Sequence, residues 1–104
     1  MSGIERINAE RQRQIEVEGW TPEHDDAYSN SDLVAAALSY AEVAAEQVSP
    51  HFPGENRPWE TRTDWPWHDR WWKPNEDPIR NLEKAGALIA AEIDRLLRAR
   101  GGDQ

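Results

Sequence analysis

Residues 77–102 read DPIRNLEKAGALIAAEIDRLLRARGG, and this stretch decides the fold class. Asp77 suits an N-cap and Pro78 the first helical position, where a missing N–H costs nothing. Leu82, Ala85, Gly86, Ile89, Ile93 and Leu96 recur at three- and four-residue spacing, the period of a helix with one apolar face. Glu92 with Arg95, and Asp94 with Arg98, add pairs worth about 0.2–0.5 kcal/mol each. Gly101-Gly102 stops the pattern, which predicts a helix over 78–99.

Upstream, DLVAAALSYAEVAAEQV (32–48) repeats the same period. Val34, Leu38, Ala41, Ala45 and Val48 form one stripe; Leu33, Ala37, Tyr40 and Ala44 lie beside it. Ser29 followed by Asp32 resembles a capping box with Asp in place of Glu, so a helix is expected over 31–48, stopped by Pro50. Its alanines permit close helix–helix approach. Residues 4–18 predict a third, more polar helix. Its thin stripe is Ile4, Ile7, Ile15 and the alkyl stem of Arg11, and Gly19 ends it. So narrow a face must dock on something.

Between the predicted helices 31–48 and 78–99 lie five of the seven prolines: Pro50, Pro53, Pro58, Pro66 and Pro74. That spacing forbids a helix or a central strand. The same segment carries five of the six tryptophans: Trp59, Trp65, Trp67, Trp71 and Trp72. Disordered segments are poor in aromatics, so an ordered loop pinned by indoles is expected, with a short helical turn near Asp69–Trp72. The expected architecture is all-α. Three helices at about 4–18, 31–48 and 78–99, and a long ordered Pro/Trp-rich loop at 49–77, make a single domain over 1–104.

With 104 residues, 38% of them hydrophobic and 31% charged, the chain has material for one modest core. The alanine-rich middle helix and the thin first helix are not all satisfied in such a monomer. A homodimer or higher homo-oligomer is expected, shared ligand pockets being one arrangement open to it. The absence of cysteine excludes disulfides and thiolate chemistry. No apolar run approaches bilayer length and no signal peptide is evident, so a cytoplasmic, non-membrane protein is expected.

Charge is unevenly placed. Residues 1–19 carry four acids and three bases; 20–56 carry seven acids and no Lys or Arg; 57–104 carry nine of each, giving the net −8. An acidic surface argues against nucleic-acid binding, which draws most of its affinity from phosphate contacts. A small anion in a local basic pocket remains compatible.

Three features carry candidate chemistry. The first is TRTDWPWHDRWWKP (61–74), where indoles alternate with Arg62, Arg70 and Lys73. Trp20, Trp67, Trp71 or Trp72 could stack a planar base, although some of these rings must serve as the loop's own core. The second is the N-terminus of the last helix, with Arg80, Asn81 and Lys84, a place for anions or simply a capped end with solvated bases. The third is Glu23-His24-Asp25-Asp26, suited to sugar or base edges, to acid–base work, or to capping its own turn. Enzyme templates fail: Glu23-x-x-Asp26 has no Glu-x-x-Glu before it, and His24-Asp25 and His68-Asp69 lack the further ligands of a metal-dependent phosphohydrolase. No Gly-rich phosphate loop or Ser nucleophile motif is present. Neither catalysis nor a cofactor is expected.

The segments ERQRQIEVEGWTPEHDDAYSNSDLVAAALSYA, WPWHDRWWKP and RNLEKAGALIAAEIDRL together resemble a family of small phage and prophage accessory proteins. The resemblance spans roughly residues 10–97. Where this chain has Arg80-Asn81-Leu82, that family usually has Arg-Asp-Leu. The resemblance implies a role useful against the host. By analogy of setting, the expectation is a counter-defence protein that sequesters an adenine-containing second messenger, a cyclic ADP-ribose-like molecule or a cyclic dinucleotide, without cleaving it. Arg70, Lys73, Arg80 and Lys84 would then hold phosphates, and Glu23, His24 and Asp25 sugar or base edges. The alternative is an acidic protein–protein inhibitor of a host nuclease or defence effector, docking through the base-free stretch 20–56.

Overall fold

A computed structural model describes residues 1–27, 31–57 and 60–101. Ser29 of the expected capping box and Trp59 lie outside the described residues. The protein is all-α, with four helices and no strand among the described residues: α1 (Gly3–Glu16), α2 (Pro22–Asp25), α3 (Asp32–Val48) and α4 (Pro78–Ala99). The sequence predicts three of these; α2 is the addition. It is a single turn that Thr21 caps, its hydroxyl accepting from the His24 amide at 3.2 Å, with Pro22 at the first position. Asp69–Trp71 forms a 3-10 turn where a short helical turn is expected.

α1 begins with a capping box: Ser2 and Glu5 exchange side-chain and backbone hydrogen bonds at 3.2 and 2.8 Å. It ends at Glu16, and the chain turns away at Gly19, whose φ of +77° a side chain would resist. α4 opens as expected, the Asp77 carboxylate accepting from the Ile79 amide at 2.9 Å. The Glu92–Arg95 pair forms at 2.6 Å. The Asp94–Arg98 pair does not, because Arg98 turns to Asp26 at 2.7 Å and fastens α2 to the end of α4.

α3 and α4 pack antiparallel, since Gln47 near the end of α3 bonds Asn81 near the start of α4 at 2.9 Å. The core lies between them and under the aromatic loop: Leu33, Ala36, Ala37, Tyr40 and Val43 against Ala85, Leu88 and Ala91, closed by Trp65 and Trp72. Tyr40 stacks on Trp72 at 4.8 Å and meets the edge of Trp65 at 5.6 Å. Its hydroxyl accepts from the Lys73 amide at 3.2 Å, tying the loop to α3.

Two expected faces turn out differently. On α4 the apolar stripe Leu82, Ile89, Ile93 and Leu96 is exposed; the helix instead buries Asn81, Ala85, Leu88, Ala91 and Glu92. On α3 the inner stripe is Leu33, Ala37, Tyr40 and Ala44, while Val34, Leu38 and Val48 face solvent. The small residues win the interior because they let two backbones approach and leave room for Tyr40 and the indoles. α1 departs furthest: Ile4 is exposed, and the helix buries Glu10, Arg11 and Gln14. Gly86 lets α1 lie on the flank of α4, because a Cβ there would stand 2.6 Å from Cδ1 of Ile7. No described helix is long and apolar enough to cross a membrane.

Candidate functional site

The site starts from one buried ion pair. Arg11 on α1 reaches Asp25 on α2 at 2.9 Å, both nearly inaccessible, and also donates to the Trp20 carbonyl at 3.2 Å. One guanidinium thus fixes both α2 and the chain leading into it. The Trp20 ring then faces His24, their planes within 8° and their centroids 6.5 Å apart, and Trp67 leans against it at 6.0 Å. Trp67 in turn meets the edge of Trp65 at 5.2 Å.

These rings wall a cleft of about 410 Å³ lined by Glu18, Trp20, His24, Asp25, Leu33, Trp67, His68 and Trp71. Trp71 is half exposed at its mouth. A second cavity of about 220 Å³ adjoins it and shares Glu18, Trp20 and Trp71. Its other walls are Glu10, Arg13, Gln14, Tyr40, Lys73, Arg80, Lys84 and Leu88. The two lobes differ in chemistry: the first is aromatic, the second holds four cations against two carboxylates.

The second lobe is organised by Glu10. Its buried carboxylate accepts from Arg13 at 2.8 Å, Arg80 at 2.7 Å and the Gln14 amide at 3.1 Å. Burial alone would raise its pKa; the two guanidinium ions outweigh that and hold it below the usual carboxylate range. Lys84 sits over the Tyr40 ring at 5.3 Å and donates to the Lys73 carbonyl at 2.5 Å. Burial, then the neighbouring Arg80 charge, push its pKa down. The Tyr40 hydroxyl is pushed up to about 12, chiefly by burial. Neither Lys73 nor Lys84 has an ion-pair partner among the described residues. The buried Gln14 carbonyl oxygen likewise has no hydrogen-bond partner there, leaving an acceptor in the wall of the lobe.

Of the residues singled out from sequence, Trp20, His24, Asp25, Trp67 and Trp71 meet in the first lobe, and Lys73, Arg80 and Lys84 in the second. Three lie elsewhere. Trp72 is buried in the core against Tyr40, Glu23 is exposed and lines neither lobe, and Arg70 covers the Trp71 ring at 5.2 Å. Arg62 is withdrawn entirely, buried and held by Glu42 at 2.9 Å and Glu46 at 2.7 Å. The end of α4 is also occupied. The Ile79 amide meets the Asp77 carboxylate, the Arg80 and Asn81 amides meet the Asp77 carbonyl, and the buried Asn81 side chain bonds Gln47 and Asn75.

Sequence reasoning missed Glu10, Arg13, Gln14, Glu18 and Tyr40. The available signal was α1 itself, a helix too poor in apolar residues to bury anything but polar ones. No group of three His, Asp or Glu side chains able to hold a metal ion occurs among the described residues.

No protein-family model matches the chain, and neither a curated protein nor a solved structure matches it.

Proposed function

We propose that this protein binds and sequesters an adenine-containing, nucleotide-derived immune second messenger, acting for a phage in the cytoplasm of its host. A cyclic ADP-ribose-like molecule or a cyclic dinucleotide fits the chemistry. The observation that carries the reading is the pair of adjoining lobes divided by Trp20 and Trp71. A purine stacks in the aromatic lobe, where each base–indole contact is worth about 1–3 kcal/mol. Phosphates enter the cationic lobe, where each charge-assisted hydrogen bond contributes roughly 1.5–3 kcal/mol. Two of each, after the entropy of binding, support affinity of about micromolar or better.

Holding is favoured over cleavage because the acids in reach are already engaged. Asp25 is paired with Arg11, Glu10 with Arg13 and Arg80, and Glu18 with Arg13 at 3.7 Å. The rival role as an acidic inhibitor has less support. Five of the seven acids in 20–56 meet Arg side chains from outside that stretch: Asp25, Asp26, Glu42, Glu46 and Glu55. Tryptophan fluorescence and calorimetric titration against cyclic ADP-ribose isomers and cyclic dinucleotides test the proposal. Saturable binding with intact ligand recovered after heat denaturation is expected. Affinities no better than millimolar across that panel reject it, and cleaved ligand indicates an enzyme.

A further inference from the structure

Among the described residues, α3 and α4 leave one side of their pair largely bare. On α3, Val34, Leu38, Ala41, Ala45 and Val48 lie about 100° around the helix from the inner stripe Leu33–Ala37–Tyr40–Ala44. On α4, Leu82, Ile89, Ile93 and Leu96 lie about 100° around, in the same sense, from Asn81–Ala85–Leu88–Glu92. In an antiparallel pair, equal rotations of the same sense bring both rows to the same side. The aromatic loop and both lobes contact the other side, through Tyr40, Lys84, Arg80 and Leu88, and α1 borders the bare side where Ile7 meets Gly86. Seven large apolar side chains on the bare side are between 38% and 67% exposed.

We infer that this face is the contact surface for a second copy of the chain. No charged residue falls in either row, so two copies can meet about a two-fold axis without like charges opposed. The seven side chains offer roughly 700 Å² per chain, more than the largest apolar patch of an ordinary monomer. Two copies would bury roughly 1,400 Å² or more, the size of a stable specific interface. The three-four spacing of Leu82, Ile89, Ile93 and Leu96 is also the seam of a helix that packs on another helix. The dimer then carries two separate clefts on its outer faces, in place of the shared pockets open to the sequence reading. The inference stands independently of what the cleft binds.

Each copy carries a net charge of −8, so the copies repel at long range and added salt should tighten their association. A basic protein partner docked through acidic residues would show the opposite trend. The test is sedimentation equilibrium of the full chain at tens of micromolar, at low and high salt, for wild type, Ile93→Glu, Leu38→Gln and the off-face control Val17→Gln. Expected for wild type and Val17→Gln is twice the 12.0 kDa chain mass, with association about tenfold weaker at low salt than at high salt. The two face variants should sediment at the single-chain mass with unchanged helical circular dichroism. Leu38→Gln, the milder change, decides the matter if Ile93→Glu loses helicity. A monomeric wild type, or dimers that survive both substitutions, overturns the inference.

Discussion

Replacing Asp25 with Ala removes one partner of a pair whose side chains are 9% and 1% accessible. The Coulombic gain of such a pair roughly offsets the cost of desolvating it, but the charge left behind has no such offset. Stranding the Arg11 guanidinium under α2 should cost about 3–5 kcal/mol, a large share of the roughly 5–15 kcal/mol that holds a domain of this kind folded. In a domain of this length each kcal/mol moves Tm by about 4–8 °C, so a fall of at least about 12 °C is expected. The double variant Arg11→Met, Asp25→Leu should recover most of it, because matched apolar side chains need no solvation and fill similar volume. Urea and thermal unfolding by circular dichroism give the four corners of the double-mutant cycle, with the summed tryptophan fluorescence reporting whether the aromatic cluster loosens first. If Asp25→Ala costs less than about 1 kcal/mol, the pair is solvated in solution. The account of α2 as a staple for the cleft then fails.

Trp71→Ala should weaken binding of cyclic ADP-ribose or a cyclic dinucleotide by about 10- to 100-fold, the loss of one stack, and leave Tm within a few degrees; calorimetry and melting read the two. Trp72→Ala should do the reverse at source, costing about 3–5 kcal/mol of stability because it empties the core beside Tyr40. Glu10 has its pKa lowered by Arg13 and Arg80. The unfolded chain therefore binds more protons in that range, and stability present above the ordinary value of 4.5 is lost as pH falls through the lowered one. Glu10→Gln should flatten that acid limb in urea melts taken from neutral pH downward; an unchanged slope rejects the assignment. Lys84, whose pKa burial lowers below its ordinary 10.5, should lose its proton before pH reaches that value. Binding of an anionic ligand should weaken as pH rises toward that value, and Lys84→Arg should abolish the fall in titrations at alkaline pH.

What was legible in the sequence follows from where its physics is local. Asp77-Pro78, Gly19 and the period of residues 78–99 act within a few residues of chain, and α1, α3 and α4 begin and end within two residues of their expected bounds. α2 escaped notice because a single turn has too few residues for a period, and Arg11 and Arg98, neither of which neighbours it in sequence, fasten it. The meeting of Trp20, Trp67 and Trp71 was open as a possibility, since indole density is visible in the chain. Which rings would be core and which would line the cleft was not. That depends on Tyr40, which takes Trp65 and Trp72 from the loop and leaves Trp71 outside.

The interior was the hardest to read, and the reason is general. A hydrophobic period reports which residues avoid water, but it does not say which neighbour shields them. Here the strongest periods, on α3 and α4, belong to the side left largely exposed among the described residues. The positions between these helices are held by alanines, Leu33 and Leu88. Close approach of two backbones needs small residues more than large ones, so an Ala-rich stripe beside a Leu/Ile stripe marks the tighter contact, and the bulkier stripe is left for a looser or later one. Polar burial on α1 obeys the same logic. Glu10 and Arg11 point inward because Arg80 and Asp25 are there to bond them, and Gln14 donates to Glu10. A chain with this much charge completes part of its interior through ion pairs, even while large apolar side chains stay outside.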